Sequence, residues 1–192
     1  MVDSTLAYRP RFQFETSSGT AYRSQVYNCG PTGAAQQIDY YKSRSGATRI
    51  EYLRDVIGMV HGTPTTAWQQ AEMLTKMGVP AAVLSITSMA QLDGLLGHRP
   101  VGIGVEMSRV RASTRGHTFQ GWHRITLLNR ETRTINGRKV RGYHYTDPNF
   151  SPPGGLRPDP QKGHRWISRH ELTYAFIDND PSYAIVPLKR KQ

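Results

Sequence analysis

The stretch from residue 122 to residue 146 restricts the fold of this chain more than any other part of its sequence. Two segments, Trp122 to about Thr134 and Arg138 to Thr146, alternate apolar and polar side chains in the pattern of β-strands. Between them stands Asn136-Gly137, a dipeptide typical of tight hairpin turns because both residues tolerate positive φ. The two segments are therefore predicted to pair as the antiparallel strands of one hairpin.

Shorter patterns extend this sheet in both directions along the chain. Val101 to Val105 reads as a buried strand, and Ser182 to Leu188 as a last strand that follows a short helix over Ser168 to Ile177. Two connections are predicted as loops: the Arg/Ser/Gly-containing residues 107–121 and the Pro/Gly-rich stretch from Pro148 to Gly163.

The first half of the chain is predicted to be mostly helical. The spacing of its apolar residues predicts four helices, over about residues 30–46, 48–59, 63–78 and 88–97. The second opens with Thr48-Arg49-Ile50-Glu51, which has the form of a capping box, and the fourth opens with Ser88 followed by Gln91. The first 26 residues lack a steady period, so we predict an extended lead-in with an edge strand around Arg11 to Phe14.

Helices followed by antiparallel strands define an α+β architecture. With 37% hydrophobic and 20% charged residues, the chain has enough apolar side chains to bury a core. It shows no repeat and no linker-like change of composition, and we therefore expect a single domain over residues 1–192. No apolar run approaches the roughly 18 residues of a spanning helix, and the N-terminus lacks the apolar stretch of a signal peptide. We expect a protein without a membrane span that is cytoplasmic on synthesis.

The positive charge is concentrated in the second half of the chain. Lys and Arg number 25 and Asp and Glu 14, for a formal charge of +11. Basic and acidic residues number 8 and 7 over residues 1–98, 14 and 4 over 99–169, and 3 and 3 over 170–192, so the net charges are +1, +10 and 0. Most cations of the middle segment are arginines, which bind carboxylate and phosphate groups in a bidentate way. This predicts an anionic partner for residues 99–169.

The alternative is that these cations lie on exposed strands and loops and only keep the protein soluble. Nucleic acid is one anionic polymer, but the sequence has no zinc-finger spacing, helix-turn-helix signature or aromatic platform. Specific recognition of nucleic acid is therefore not predicted.

Cys29 is the only cysteine, which excludes intramolecular disulfides and a cysteine-rich zinc site. We expect no metal and no cofactor. The residue stands where the first predicted helix begins, just before Gly30-Pro31. The N-terminal end of a helix favours a thiolate through its aligned dipoles and unpaired N–H groups, so Cys29 is a candidate nucleophile. The alternative is a small buried apolar residue.

A thiolate nucleophile needs a base, and the base needs a third group that orients its ring. Seven histidines are available, and His123 and Asp147 are the pair predicted to meet, because one begins the long strand and the other follows the end of its partner. His117, on the predicted loop, and His144, in the partner strand, are weaker alternatives.

The register of the hairpin decides whether His123 and Asp147 meet. If Asn136-Gly137 were a plain two-residue turn, paired residue numbers would sum to 273 and Asp147 would lie on the opposite face of the sheet from His123. If the turn is a three-residue loop that begins at Ile135, the sum is 272 and Asp147 opposes Ile125, diagonally next to His123 on the same face. We predict this bulged loop, or an equivalent single bulge elsewhere in the hairpin.

Gln25 supplies the fourth candidate group. It precedes Cys29 by four residues, and its side-chain amide could point at the same spot as the Cys29 backbone N–H. Two such donors would bind the oxyanion that forms when a thiolate attacks a carbonyl group.

Three segments resemble a known family. Gln25-Val26-Tyr27-Asn28-Cys29-Gly30-Pro31-Thr32 is similar to the nucleophile segment of papain-like cysteine peptidases, in the branch of bacteriocin double-glycine leader peptidases and related phage-lysin domains. Gly121-Trp122-His123-Arg124-Ile125-Thr126-Leu127-Leu128 resembles the histidine strand of that branch, and Tyr145-Thr146-Asp147-Pro148-Asn149 its Asp-Pro segment. The last helix and strand also resemble those of the family, so that the resemblance covers about residues 22–187.

The resemblance implies a papain-like α+β fold, with the nucleophile helix packed on a C-terminal antiparallel sheet. It also implies hydrolysis of peptide bonds by Cys29 and His123, with Asp147 orienting His123 and Gln25 helping to bind the oxyanion. The substrate expected from the phage-lysin branch is the peptide part of bacterial peptidoglycan, reached after release by lysis or on a virion. The alternatives are a maturation peptidase that trims a protein partner, and an inactive papain-like module that binds an anionic polymer or forms part of a larger phage assembly.

Overall fold

The computed structural model describes residues 27–43, 48–97, 99–116, 119–149, 163–178 and 182–188. The predicted edge strand around Arg11 to Phe14 and the candidate oxyanion donor Gln25 lie outside these ranges.

The described residues form six α-helices and six β-strands. The helices are α1 (Cys29–Tyr41), α2 (Ile50–Val56), α3 (Ala67–Lys76), α4 (Met89–Leu96), α5 (Ala112–Arg115) and α6 (Arg169–Leu172). The strands are β1 (Ala81–Ser85), β2 (Val101–Glu106), β3 (Trp122–Ile135), β4 (Arg138–Thr146), β5 (His164–Ser168) and β6 (Tyr183–Pro187). A 3-10 turn over Met107–Arg109 follows β2, and a π-helical turn over Thr173–Ile177 continues α6. None of the described helices has the length and apolar character needed to cross a membrane.

The six strands form one antiparallel sheet in the order β1-β6-β2-β3-β4-β5. The α+β prediction is confirmed: α1 to α3 precede the sheet, and β2 to β6 build most of it. Two strands were not predicted. β1 lies in a segment expected to connect two helices, and β5 begins where the Pro/Gly-rich loop ends.

The β3–β4 hairpin has a two-residue turn and a bulge. Asn136 and Gly137 both have positive φ, 50° and 76°, and Ile135 pairs with Arg138 directly beside them. The predicted three-residue loop is therefore wrong. The register shifts between Leu127 and Asn129, where one extra residue on β3 changes the sum of paired numbers from 273 to 272. The alternative form of the prediction, a single bulge elsewhere in the hairpin, is confirmed.

Each face of the sheet carries its own apolar core. One core packs α4, α6 and the turns beside them against β2 to β6, and it includes Ile103, Ile125, Tyr145 and Phe176. The other packs α1, α2 and α3 against the opposite face, around Ile185 of β6. A hydrogen bond of 3.1 Å from Thr146 Oγ1 to Gln36 Oε1 ties β4 to α1. The helical half is thus held directly on the strand that Asp147 follows.

The ends of the helices differ in part from the predicted ones. Ser88 caps α4 by accepting the Gln91 N–H, as predicted. The expected capping box at Thr48 is wrong, because the Thr48 hydroxyl donates to Asp39 Oδ1 at 2.5 Å instead of capping α2. α2 ends at Val56, two residues before Gly58 with its positive φ of 65°. The expected loop 107–121 contains the 3-10 turn and α5, whereas residues 117 and 118 lie outside the described ranges.

Candidate active site

Cys29 is the first residue of α1 and is partly exposed. The first N–H that bonds back along the helix is that of Thr32, which donates to the Asn28 carbonyl at 2.8 Å. Pro31 has no N–H, so the helix leaves the N–H groups of Cys29 and Gly30 at its open end. These donors and the helix dipole favour negative charge at this position.

Gly30 allows this helix end to lie close to the segment between α2 and α3. A Cβ atom at Gly30 would lie 2.7 Å from Thr65 Cβ, well inside normal contact distance. The glycine in the Asn28-Cys29-Gly30 segment is therefore required by packing beside the thiol.

His123 and Asp147 meet as the 272 register predicts. His123 Nε2 and Asp147 Oδ1 lie 2.7 Å apart, and both side chains are almost completely buried. Asp147 Oδ1 also accepts the Asn149 N–H at 2.8 Å, and the Asp147 N–H donates to the Gly163 carbonyl at 3.3 Å. These bonds fix the carboxylate at the end of β4 so that it orients the imidazole ring from one side.

The other side of the His123 ring faces Cys29. Nε2 is engaged by Asp147, which leaves Nδ1 for the thiol. Burial opposes ionisation of Cys29, but the hydrogen bond to His123 and the charge of that ring outweigh it and lower the pKa of the thiol. Burial likewise opposes protonation of His123, but the charge and hydrogen bond of Asp147, with those of Cys29, raise the pKa of the imidazole. The two shifts favour a thiolate beside an imidazolium.

Two arginines also act on the thiol. The backbone N–H of Arg124 donates to Cys29, and the Arg124 and Arg54 guanidinium groups interact electrostatically with it. Arg124 lies across Gly104 of β2, where a Cβ atom would be 2.8 Å from Arg124 Nη1. Positive charge on Arg124 and Arg54 therefore acts on Cys29.

The other candidate bases lie elsewhere or outside the described ranges. His144 pairs with Glu131 on the hairpin, and His61 pairs with Asp55 at 2.7 Å in an exposed position. His117 is not among the described residues. Beside His123, the Phe119 ring lies with its centroid 5.7 Å from that of the imidazole. No cluster of three metal-ligating side chains occurs in the part of the chain that the structure describes.

Sequence reasoning missed Arg54. It follows Ile50 and Leu53 at the i, i+3, i+4 spacing of a buried helical face, and all three side chains are buried. A charged residue at an apolar position of a helix is the signal that could have identified it.

The arrangement has the parts that nucleophilic attack on a carbonyl group needs. Cys29 supplies a sulfur nucleophile, and His123 is placed both to hold its proton and to return it to a leaving group. Asp147 keeps the ring in place, and the N–H groups of Cys29 and Gly30 at the start of α1 are donors that an oxyanion could use.

Solved structures share this fold across nearly the whole chain. A double-glycine motif protease from an AMS/PCAT transporter, solved in complex with the leader peptide, has a TM-score of 0.54 at 15% identity, over 94% of this chain and 91% of that one. A C39-like peptidase from Bacillus anthracis has a TM-score of 0.59 at 14% identity, over 97% of this chain and 98% of that one. No family model matches the sequence, and no curated protein matches it. The neighbours are papain-like cysteine peptidases of the double-glycine and C39 type, and the fold of this chain is theirs.

Proposed function

We propose that this chain is a cysteine peptidase in which Cys29, His123 and Asp147 form the catalytic triad. The observation that carries the proposal is the position of His123, whose ring bonds Asp147 at 2.7 Å on one side and the Cys29 thiol on the other. The lowered pKa of Cys29 and the raised pKa of His123 support a reactive ion pair. The folds of the neighbouring peptidases are consistent with this chemistry.

In the first step, the Cys29 thiolate attacks the carbonyl carbon of the scissile peptide bond. The carbonyl oxygen becomes an oxyanion, which the N–H groups of Cys29 and Gly30 can receive, together with Gln25 as the proposed side-chain donor. As the tetrahedral intermediate collapses, the C–N bond breaks and the His123 imidazolium gives its proton to the leaving amine. The product is a thioester on Cys29 and a free amine.

In the second step, neutral His123 takes a proton from water as the water oxygen attacks the thioester carbon. The C–S bond breaks, the peptide leaves as a carboxylic acid, and the sulfur departs as the thiolate. Asp147 remains ionised throughout and stabilises the imidazolium each time it forms. The cycle regenerates the ion pair and consumes one water molecule per peptide bond.

A peptide is the substrate class that we propose, since one neighbour is a protease in complex with a leader peptide. Within that class, we favour the stem or cross-bridge peptides of peptidoglycan, because anionic cell walls would attract the +10 segment over residues 99–169. Access to the wall would follow lysis of the producing cell or transport on a phage particle. A maturation peptidase would instead use the same triad on a protein partner.

The test compares the parent protein with Cys29→Ala and His123→Ala on purified cell walls and on mixed peptide libraries. We expect both variants to lose hydrolysis almost completely, with little change in the thermal unfolding temperature. His61→Ala is the matched control, because His61 also pairs with an aspartate at 2.7 Å but does so at an exposed site. Wall clearance identifies a lysin, whereas cleavage of proteins alone identifies a maturation peptidase. Equal activity of parent and Cys29→Ala would contradict the proposal.

A second candidate function, that of an anion-binding module, is favoured by a basic surface pocket. The pocket has a volume of about 260 Å³, and three arginines, Arg130, Arg141 and Arg169, outnumber the two acidic residues, Asp93 and Glu131, in its lining. Arg169 is bonded to Asp93, whereas neither Arg130 nor Arg141 has an ion-pair partner among the described residues. This function does not need Cys29, so polymer binding that survives Cys29→Ala without any hydrolysis would favour it.

A further inference from the structure

Arg54 of α2 is a charged residue in the interior of the helical half. Its relative exposure is 0%, and its guanidinium group makes four hydrogen bonds. Nη2 donates to the Tyr27 carbonyl at 2.7 Å and Nε to Asn28 Oδ1 at 3.0 Å. Nη1 donates to the Val60 carbonyl at 3.2 Å and to Met59 Sδ at 3.4 Å.

These bonds join two segments that are distant in sequence. Tyr27 and Asn28 are the two residues that directly precede the nucleophile, and they lie 27 and 26 positions before Arg54. Residues 59 and 60 belong to the turn that follows α2. A planar guanidinium with donors in a fixed fork can hold both segments at once, which a single-point donor cannot.

The guanidinium has no carboxylate among these four partners, all of which are uncharged acceptors. Burying a cation on neutral acceptors alone is costly unless a nearby anion compensates for the lost hydration. Burial lowers the pKa of Arg54, and the charge of Cys29 acts in the opposite direction. When ionised, Cys29 is an anion whose charge acts on this buried cation.

We propose that Arg54 is a positioning residue for the nucleophile. It fixes the Tyr27–Asn28 segment so that Cys29 Sγ points at His123, and its positive charge stabilises the thiolate. The part that concerns reaction rate rests on the proposed peptidase function, whereas the part that concerns the thiol can be measured without any substrate. A purely structural Arg54 would brace α2 and its turn and leave the ionisation of Cys29 unchanged.

The experiment measures the rate of alkylation by iodoacetamide from pH 4 to pH 9. Cys29 is the only cysteine, so the signal comes from one site. We expect Arg54→Met to shift the midpoint of the profile upward by about one pH unit, which leaves roughly tenfold less thiolate below the midpoint. Arg54→Lys keeps the charge but loses the fork, so we expect a midpoint near that of the parent and kcat/KM lowered by about fivefold or more.

Arg99→Met is the matched control, because Arg99 also donates to a main-chain carbonyl, that of Pro187 at 2.8 Å, but at the far strand β6. We expect its profile to equal that of the parent. Asn28→Ala removes only the Nε bond and covers the case in which Arg54→Met does not fold. It should raise the midpoint by a smaller amount and slow alkylation at pH 6.

A folded Arg54→Met with the parent midpoint and an alkylation rate within twofold overturns the proposal. If Arg54→Met is unfolded, a parent-like profile for Asn28→Ala overturns it instead. The proposed peptidase function is contradicted by a different result. In that result, the parent thiol is alkylated rapidly at pH 6, as an activated cysteine is, but no peptide or cell wall is hydrolysed.

Discussion

At the scale of single residues, the chemistry depends on where one proton lies between Cys29 and His123. The pKa of the thiol is lowered and that of the imidazole is raised, so a pH range exists in which the sulfur is ionised and the ring is protonated. Below the pKa of Cys29 the thiolate is lost, and above the pKa of His123 the acid for the leaving amine is lost. Hydrolysis and alkylation should therefore respond differently to pH.

We predict a bell-shaped pH profile for hydrolysis and a single rising limb, followed by a plateau, for alkylation. Asp147→Asn should move the alkaline limb of hydrolysis to lower pH, because the carboxylate that raises the pKa of His123 is gone. It should also lower kcat by roughly 10²-fold, since the ring loses its orienting charge. Peptide hydrolysis and iodoacetamide kinetics, measured over the same pH range, check both statements. An unchanged alkaline limb in Asp147→Asn contradicts them.

Gly30 yields a second prediction at this scale. Gly30→Ala should destabilise the protein by about 1–3 kcal/mol and slow alkylation, because its Cβ atom would lie 2.7 Å from Thr65 Cβ and push the helix end away. Urea unfolding and alkylation at pH 6 provide the measurements. Gly94→Ala is the control, since a Cβ atom there has open space and should be neutral or stabilising by up to about 1 kcal/mol. Thr65→Gly, which removes the clashing Cβ atom that alanine would keep, should restore the alkylation rate of Gly30→Ala in part.

The sequence allowed much of this site to be predicted. The place of Cys29 at a helix start, and the meeting of His123 with Asp147, followed from local pattern and strand register. A charged residue at an apolar helix position marks Arg54 in the sequence, but the role proposed for it depends on contacts with residues 26 and 27 positions earlier, which no local pattern predicts. The candidate role of Gln25 remains a prediction, since that residue lies outside the described ranges.

At the scale of elements, the bulge in β3 is the feature that joins the hairpin to the site. A two-residue turn at Asn136-Gly137 would place Asp147 on the wrong face, and one extra residue near Leu128 corrects this. Placing His123 and Asp147 on one face requires one extra residue in the hairpin. The position of that residue cannot be predicted, because an extra residue anywhere on β3 changes the sum of paired numbers from 273 to 272. β1 and β5 were missed because neither alternates strictly in burial nor forms a continuous buried run, as β6 of the same length does.

Hydrogen bonds to the Glu171 carboxylate of α6 hold α5 against α6. Its carboxylate accepts bonds from Arg111 Nε and Nη2, both at 2.9 Å, and from the hydroxyls of Thr114 and Ser168, both at 3.0 Å. Burial opposes its ionisation, but the bonds from Arg111, Ser168 and Thr114 outweigh this and lower the pKa of Glu171 to about 2. A carboxyl whose pKa falls on folding stabilises the native state only where it is ionised.

We therefore predict that the contribution of Glu171 is complete above pH 4.5, the ordinary pKa of the group, and is lost as the pH falls toward about 2. Its magnitude is on the order of 3 kcal/mol. Glu171→Gln should lower the free energy of unfolding at pH 7 and flatten its dependence on pH between these limits. Urea unfolding at several pH values is the measurement, and Glu72→Gln, on α3, is a control with no comparable set of bonds among the described residues. A parallel pH dependence in parent and Glu171→Gln contradicts the prediction.

At the scale of the whole molecule, the residues of the proposed triad come from both halves of the chain, whereas the excess positive charge comes from one segment. The thiol belongs to the nearly neutral first part of the chain, whereas His123, Asp147 and almost all of the excess positive charge belong to residues 99–169. In the β3–β4 hairpin, Arg130 pairs with Tyr143 and Arg141 with Thr132, so the two arginines share one face as diagonal neighbours. If the anion-binding proposal holds, this face is where an anionic polymer would bind, apart from the thiol.

We predict that Arg130→Glu/Arg141→Glu weakens binding to a polyanion such as heparin at least tenfold at 50 mM salt, and makes the remaining binding less dependent on salt. The alkylation profile of Cys29 should stay unchanged. Arg49→Glu/Lys76→Glu, which alters two exposed cations of the helical half, is the control of equal charge change. The measurement is the affinity for heparin across a series of salt concentrations. Equal losses of affinity in both double variants would contradict the prediction and show only a general effect of net charge.

The Thr146–Gln36 bond and the contact of Cys29 with His123 lie where the two halves of the molecule are clasped together. The reactivity of the Cys29 thiol consequently reports how firmly the helical half and the sheet are held together. A distant substitution that loosens the contact between the two halves will slow alkylation of Cys29 while the secondary structure of each half is still intact. The alkylation rate can thus rank a library of variants by how well their two halves pack together before any natural substrate is known.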